Sequence, residues 1–183
     1  LGGFGNEAVA AAGAAGRMEM FAFVIPMALG ISLTPFVSQN FGAQRLDRIR
    51  EALRTATRFA LLYGGVMAIL FFIFAPWLAA IFTRDPEVTE VFVAYIRTIA
   101  FGYGMLEVQR YGSFTLNGLH QPLSATGVMA IRVLVLLIPL SYLGVHLGGV
   151  QGLFRARLVT DLLGGTIAFL WARTALRRAE AAQ

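Results

Sequence analysis

The sequence of 183 residues has no cysteine and no lysine, and it has only two histidines, His120 and His146. Without cysteine the chain can form no disulfide, no thiol nucleophile and no cysteine-ligated metal site. Without lysine it has no phosphate-binding loop of the Walker type, and it also lacks the His-Glu-x-x-His and Gly-x-Ser-x-Gly motifs. We therefore predict that the protein is not an enzyme and holds neither a cofactor nor a metal site.

Charged residues are scarce as well. They make up 14% of the chain, hydrophobic residues make up 57%, and the mean hydropathy is +0.70, whereas soluble domains contain about 25% charged residues. A soluble core could not hide so much apolar surface, so the sequence predicts a lipid environment. The net charge of +5 comes from arginines at the ends of apolar runs rather than on one face, which argues against nucleic acid as a partner.

The sequence starts at Leu1, without a basic segment before its first apolar run. This start does not match a secretory signal peptide. We expect the chain to be a fragment of a longer protein.

The clearest membrane signal is an apolar run followed by a cluster of arginines. Met20–Gln44 contains 25 residues without a charge. The arginines that follow it are Arg45, Arg48, Arg50, Arg54 and Arg58. An apolar span that ends in basic residues is typical of a membrane helix that reaches the cytoplasmic surface. Pro26 and Pro35 lie within this run and Pro139 within a later one, and we consider them candidate hinges, with static kinks as the alternative.

Apolar runs of this length recur along the chain and predict an all-α, polytopic membrane protein. Phe59–Thr83 has 25 uncharged residues and as a helix is about 37 Å long, enough to cross a bilayer. The five predicted spans cover residues 6–41, 50–83, 91–116, 124–147 and 150–173. The loop Thr83–Glu90 carries one arginine and three acids, so we place it outside. The arginine-rich loop between the first two spans and the C-terminus are then cytoplasmic.

Two acids inside the predicted spans are candidate functional groups. Glu107 lies mid-helix among apolar neighbours, where an ionisable group is costly and usually faces a cavity or a partner. It is either a carboxylate that binds a coupling proton or cation, or the structural partner of Arg110 at +3 or of Arg132 on the next helix. Asp161 is either a second such carboxylate or the partner of Arg157, one turn earlier on the same helix, and we favour the pair.

Several aromatic side chains also lie within the spans and could line a substrate cavity through stacking or cation–π contacts. Aromatic residues at helical spacing more often face lipid or a core, and that alternative stays open. The residues are Phe21, Phe23, Tyr63, Tyr103 and Tyr111.

Three segments, in this order and spacing, resemble the multidrug and toxic compound extrusion (MATE) transporters. FVSQNFGAQRLDRIREAL resembles the end of the family's helix 8 and the following cytoplasmic loop. IFTRDPEVTEVFVAYIR resembles its outer loop between helices 9 and 10. LNGLHQP resembles the turn between helices 10 and 11, commonly Leu-x-Gly-x-Gly-x-Pro, with His120 in place of the second glycine.

The resemblance implies that the chain forms helices 8 to 12, most of one six-helix lobe of a twelve-helix transporter of the inner membrane. Such proteins exchange H+ or Na+ for organic cations and other amphipathic compounds through a cavity between two lobes. The missing N-terminal lobe would then be the main partner. The family's cation-binding acids lie on helices 1, 7 and 10, and Glu107 is one position away from the usual place on helix 10.

Two other functions remain open at this point. A flippase of the same superfamily, which moves lipid-linked oligosaccharides, would be favoured by a basic central cavity. Arg110 and Arg132 fit that alternative, whereas Glu107 argues for cation exchange. The chain could also be a membrane-embedded assembly partner without transport of its own.

Overall fold

The computed structural model describes residues 6–181, with side chains from residue 11 onward. The described chain consists of helices joined by short turns and contains no strand. The helices are α1 (Asn6–Ala22), α2 (Val24–Gly42), α3 (Leu46–Phe82), α4 (Pro86–Ile99), α5 (Tyr103–Gly118), α6 (Pro122–Ala130) and α7 (Ile138–Ala181). A short 3-10 turn, Ala100–Gly102, joins α4 to α5, and a π-helical segment, Ile131–Leu137, joins α6 to α7.

Within the described residues, three continuous helical stretches are long and apolar enough to cross a membrane. They are Leu46–Phe82, Pro86–Gly118 and Pro122–Ala181. A fourth span is formed by Ala11–Ala22 together with Val24–Gly42, which are bent by 56° relative to each other. Large apolar side chains on α3, such as Ile69 and Trp77, are exposed on the outside of the bundle, as expected for residues that face lipid.

The longest of these stretches folds back on itself at Gly148 and Gly149. Both have non-helical backbone angles, and Gly149 has a φ of 57°, which favours glycine. Gly144 and Gly152 lie on opposite arms of this reversal, and a Cβ atom on either would overlap the backbone of the other. Residues 138–147 and 150–181 are therefore two antiparallel arms, so the described chain contains five helical passes.

The bend between α1 and α2 has a direct cause in Pro26. Proline lacks the amide that would bond to the carbonyl four residues earlier, on Ala22. The hydroxyl of Tyr63 on α3 donates to this carbonyl at 2.7 Å and replaces the missing bond. The carbonyl of Pro26 itself accepts from the hydroxyl of Tyr111 at 3.0 Å. Side chains of two neighbouring helices thus satisfy the backbone at the bend.

The other prolines inside helices are accommodated in different ways. Pro76 in α3 frees the carbonyl of Phe72, and Arg97 donates its Nε to that carbonyl at 3.1 Å. Pro139 is the second residue after the π-helical segment, in which the ladder of hydrogen bonds is already shifted by one residue. Pro35 lies inside α2 without a break in the helix.

Helix α5 is the centre of the bundle and contacts α2, α3, α6 and α7. The apolar core forms two clusters along it: one includes Phe92 and Tyr103, and the other includes Ile49 and Leu116. Glu107 lies on α5 at the junction of these two clusters. Small residues permit the close packing of α5.

The turn after α5 contains His120 at the position where the family's turn commonly has glycine. This residue has a φ of 59°, a left-handed conformation that glycine adopts more readily than other residues. The imidazole lies 5.8 Å from the ring of Phe41, and its Nε2 is 3.4 Å from the hydroxyl of Ser38. His120 thus adopts a backbone conformation typical of glycine, while its side chain contacts α2.

Candidate functional site

Glu107 is the one acid on the central helix, α5. It is 1% exposed. Its Oε1 accepts a hydrogen bond from Nη1 of Arg110 at 2.7 Å, so the arginine at +3 is its partner in the structure. Its Oε2 is buried and has no hydrogen-bond partner among the described residues. A buried carboxylate with one paired and one free oxygen can accept a proton without first breaking its ion pair.

Arg110 connects this carboxylate to the bend in the first span. Its side chain is 36% exposed, and its guanidinium lies 5.0 Å from the centre of the Phe23 ring, a cation–π distance. Phe23 is the residue between α1 and α2, and its ring packs edge-on against Tyr103 at 5.0 Å. The acid, the arginine and the bend therefore form one contiguous set of contacts.

Asp161 pairs with Arg132, and the predicted pair with Arg157 is wrong. Nη2 of Arg132 donates to Oδ1 of Asp161 at 2.6 Å, and Asp161 is 1% exposed. The stem of Arg132 passes over Gly164 of α7, where a Cβ would lie at an ordinary van der Waals distance of 3.4 Å from its Cγ and Cδ. Arg132 is thus held by Asp161 and is not the partner of Glu107.

Arg157 binds a different acid, Glu19 on α1, at 3.0 Å. Tyr95 and Tyr103 donate hydrogen bonds to Oε1 of the same carboxylate at 3.2 and 3.3 Å, and Arg157 also donates to the hydroxyl of Tyr95. This cluster joins α1, α4, α5 and α7. The sequence analysis missed Glu19 because it directly precedes the apolar run and therefore reads as the end of a span. Its partner lies 138 residues away, beyond any helical spacing.

The aromatic residues do not form one cavity. Tyr103 and Tyr111 belong to the two core clusters, Tyr63 is bound to the backbone at the bend, and Phe21 is exposed on the outside of the bundle. Phe23, through its contact with Arg110, is the member of this set that lies beside an exposed charge. Among the described residues, no group of three His, Cys, Asp or Glu side chains is arranged to hold a metal ion.

Comparisons with known proteins identify the family. The MatE family model matches residues 1–143. The FAD transporter of Shewanella oneidensis is 36% identical over 168 residues, which are 92% of this chain and 37% of that protein. A probable multidrug resistance protein of Bacillus subtilis, YoeA, is 26% identical over 123 residues, which are 67% of this chain and 24% of that protein. The chain thus matches between about a quarter and just over a third of the length of these relatives.

The fold agrees with this assignment. The crystal structure of the Vibrio cholerae MATE transporter VcmN in the bent form superposes with a TM-score of 0.95 and 30% sequence identity, covering 99% of this chain and 41% of VcmN. The MATE transporter ClbM in complex with Rb+ has a TM-score of 0.87 at 22% identity and supports the fold alone. The chain belongs to the MatE family and has the fold of part of a MATE transporter.

Proposed function

We propose that this chain forms most of the C-terminal lobe, helices 8 to 12, of a twelve-helix antiporter that exports organic cations or amphipathic compounds in exchange for H+ or Na+. Members of this family are transporters rather than enzymes. The observation that carries the proposal is Glu107, a buried acid on the central helix with one oxygen free. Ionisable groups in the membrane interior mark ion pathways and proton relays.

Glu107 supports a proton better than a metal ion as the coupling species. Metal cations in proteins are held by several oxygen ligands, whereas Glu107 offers a single free carboxylate oxygen. One free carboxylate oxygen is sufficient for a proton. Protonation neutralises Glu107 and weakens its hold on Arg110, which lies against Phe23 at the bend. This change at the bend shifts the equilibrium between two arrangements of the first span, and alternating access requires such a pair of arrangements.

The test uses the complete transporter in liposomes loaded with a fluorescent organic cation. We expect an imposed pH gradient to drive export, and Glu107→Gln, which keeps the shape but cannot ionise, to reduce the rate at least about tenfold. Glu51→Gln, an exposed acid on α3, is the matched control and should leave export unchanged. Normal export by well-folded Glu107→Gln protein would remove Glu107 from the mechanism and leave coupling to helices 1 and 7.

We place the protein in the inner membrane with the α2–α3 turn and the C-terminus in the cytoplasm. The arginines around that turn support this orientation through the positive-inside bias. This chain has no cysteine, so in a complete transporter freed of any other cysteines, single cysteines at the exposed positions Gln44 and Arg84 can be read without background. An impermeant thiol reagent applied from outside should label Arg84→Cys and spare Gln44→Cys. Labelling of both would contradict the orientation.

A second substrate class is favoured by Arg110 and by one relative. The 36% identical relative is an FAD transporter, and FAD is an anion with aromatic rings. The partly exposed guanidinium of Arg110 offers a positive charge and a planar face on which an aromatic ring can stack. Liposomes loaded with FAD in place of the organic cation separate the two substrates, since Arg110→Gln should impair export of FAD more than export of the cation.

A further inference from the structure

A concave site that does not include Glu107 lies between the first turns of α3 and the last turns of α7. It has a volume of about 570 Å³. Five arginines line it, in two rows spaced four residues apart along their helices: Arg50, Arg54 and Arg58 on α3, and Arg173 and Arg177 on α7. We call this site the basic cleft. It lies at the same end of the bundle as the α2–α3 turn, because α3 begins and α7 ends there.

Most of the charge in the basic cleft is not neutralised by the protein. Arg50 forms an ion pair with Glu180, which ties the end of α7 to the start of α3. Among the side chains of residues 11–181, the other four arginines have no carboxylate within ion-pair distance. They are all exposed. Four positive charges that face one cavity repel one another, and an anion between them would relieve that repulsion.

The floor of the basic cleft is apolar. Leu53 and Leu176 are buried beneath the arginines, and Phe169 lies one turn of α7 before Arg173. Arg58 directly precedes the uncharged run of α3, and Arg173 directly follows the uncharged residues 162–172 of α7. The cleft therefore changes from cationic to apolar at the depth where a bilayer changes from headgroups to acyl chains.

We propose that the basic cleft binds the phosphate headgroup of an anionic phospholipid of the cytoplasmic leaflet, with an acyl chain against Phe169. Arginine pairs well with phosphate because its planar fork donates two parallel hydrogen bonds. Basic pockets between membrane helices on the cytoplasmic side are suited to such headgroups. A water-soluble phosphate compound would use the same arginines but not the apolar floor. The proposal depends on the membrane setting of the chain and not on its transported substrate.

The experiment measures lipid binding to the complete transporter in an uncharged detergent by native mass spectrometry, with titration of short-chain phosphatidylglycerol. Phosphatidylcholine of the same chain length is the lipid control. We expect wild-type protein to retain one phosphatidylglycerol in preference to phosphatidylcholine. Arg54→Gln/Arg173→Gln should weaken that binding about thirtyfold, the effect of removing two arginines at an anionic lipid surface.

A matched variant and a soluble competitor make the result specific. Arg48→Gln/Arg178→Gln removes the same charge from the same two helices outside the cleft and should change the affinity by less than about threefold. Arg54→Lys/Arg173→Lys keeps the charge and should bind with intermediate affinity, because lysine lacks the bidentate fork. Inorganic pyrophosphate at the same concentration should not displace the lipid.

Each contrary result overturns the assignment in a distinct way. Equal binding of phosphatidylglycerol and phosphatidylcholine by wild-type protein, or no binding at all, would show that the cleft does not select an anionic lipid. Equal losses in the two arginine-to-glutamine variants would show a general charge effect rather than a site. Displacement by pyrophosphate at matching affinity would identify the ligand as a soluble phosphate compound.

Discussion

At the scale of single residues, the three acids that are buried among the described side chains each have one arginine partner. The pairs are Glu19–Arg157, Glu107–Arg110 and Asp161–Arg132. Removing one member of a buried pair leaves the other as an uncompensated charge, which costs about 3–5 kcal/mol where that charge cannot reach water. The exposure of the arginine therefore decides whether a pair is structural or can be opened during a transport cycle.

The pairs of Asp161 and Glu107 differ in this respect. The side chain of Arg132 is 15% exposed, whereas that of Arg110 is 36% exposed. We expect Asp161→Asn to lower the thermal unfolding temperature of the complete protein clearly, because Arg132 stays buried without its partner. Glu107→Gln should lower it little, because Arg110 reaches solvent. Size-exclusion chromatography with fluorescence detection after heating measures both variants.

The double variant Asp161→Asn/Arg132→Gln provides the control for that prediction. It removes both charges, so much of the lost stability should return. If Glu107→Gln destabilises the protein as strongly as Asp161→Asn, and Arg110→Gln restores it, Glu107 is a structural partner and its proposed coupling role is wrong.

Spacing along one helix predicted only part of these partnerships. Glu107 and Arg110 are three residues apart on α5, so their contact follows from helical geometry. Asp161 and Arg157 are four residues apart, and yet each binds a residue of another helix. Their partners depend on how α7 packs against α1 and the segment Ile131–Leu137, and the spacing of residues along one helix does not reveal that packing.

At the scale of elements, the sequence predicted the helical spans but not the behaviour of their prolines. Pro26 and Pro35 lie in the same apolar run, yet the span bends by 56° near the first and continues through the second. The two prolines differ in their tertiary contacts: Tyr63 and Tyr111 donate hydrogen bonds to the backbone at the bend near Pro26. The π-helical segment before Pro139 has no signal in local composition either.

The partnership between Pro26 and Tyr63 can be tested by a double-mutant cycle. Tyr63→Phe leaves the carbonyl of Ala22 without a donor and should destabilise the complete protein by about 1–2 kcal/mol. In the Pro26→Ala background the alanine amide can bond to that carbonyl, so the same change should cost less than half as much. Unfolding midpoints of the four proteins measure the coupling. Equal costs in both backgrounds would show that Tyr63 does not compensate for the proline.

Adjacent glycines on α3 offer a matched test of helix packing. A Cβ atom on Gly64 would overlap the backbone of Gly104 on α5, whereas a Cβ atom on Gly65 would meet nothing within 4 Å. Gly64→Ala should therefore force α3 and α5 apart and cost about 1–3 kcal/mol. Gly65→Ala should be neutral or slightly stabilising, because alanine is the better helix former. Equal stability of the two variants in thermal unfolding would contradict this packing.

At the scale of the whole molecule, the described residues have the fold of part of a MATE transporter. The chain covers 41% of VcmN, to which it superposes with a TM-score of 0.95. The partly exposed guanidinium of Arg110 lies against Phe23, next to the bend in the first span. Alternating access needs a second body that moves against the first around the binding site. Composition and residue spacing do not reveal this second body; the family resemblance does.

We therefore expect the 183-residue chain by itself to insert and fold but not to transport. Reconstituted alone in liposomes, it should leave a fluorescent organic cation inside under an imposed pH gradient, whereas the complete transporter should expel it. Circular dichroism should show a highly helical chain in both samples, so that a missing signal is not due to misfolding. Export by the isolated chain would contradict the division into two lobes. Co-expression of the remaining part of the transporter, helices 1 to 7, as a separate polypeptide should restore export, because the contacts of the chain with helix 7 and with the N-terminal lobe need no covalent link across a loop.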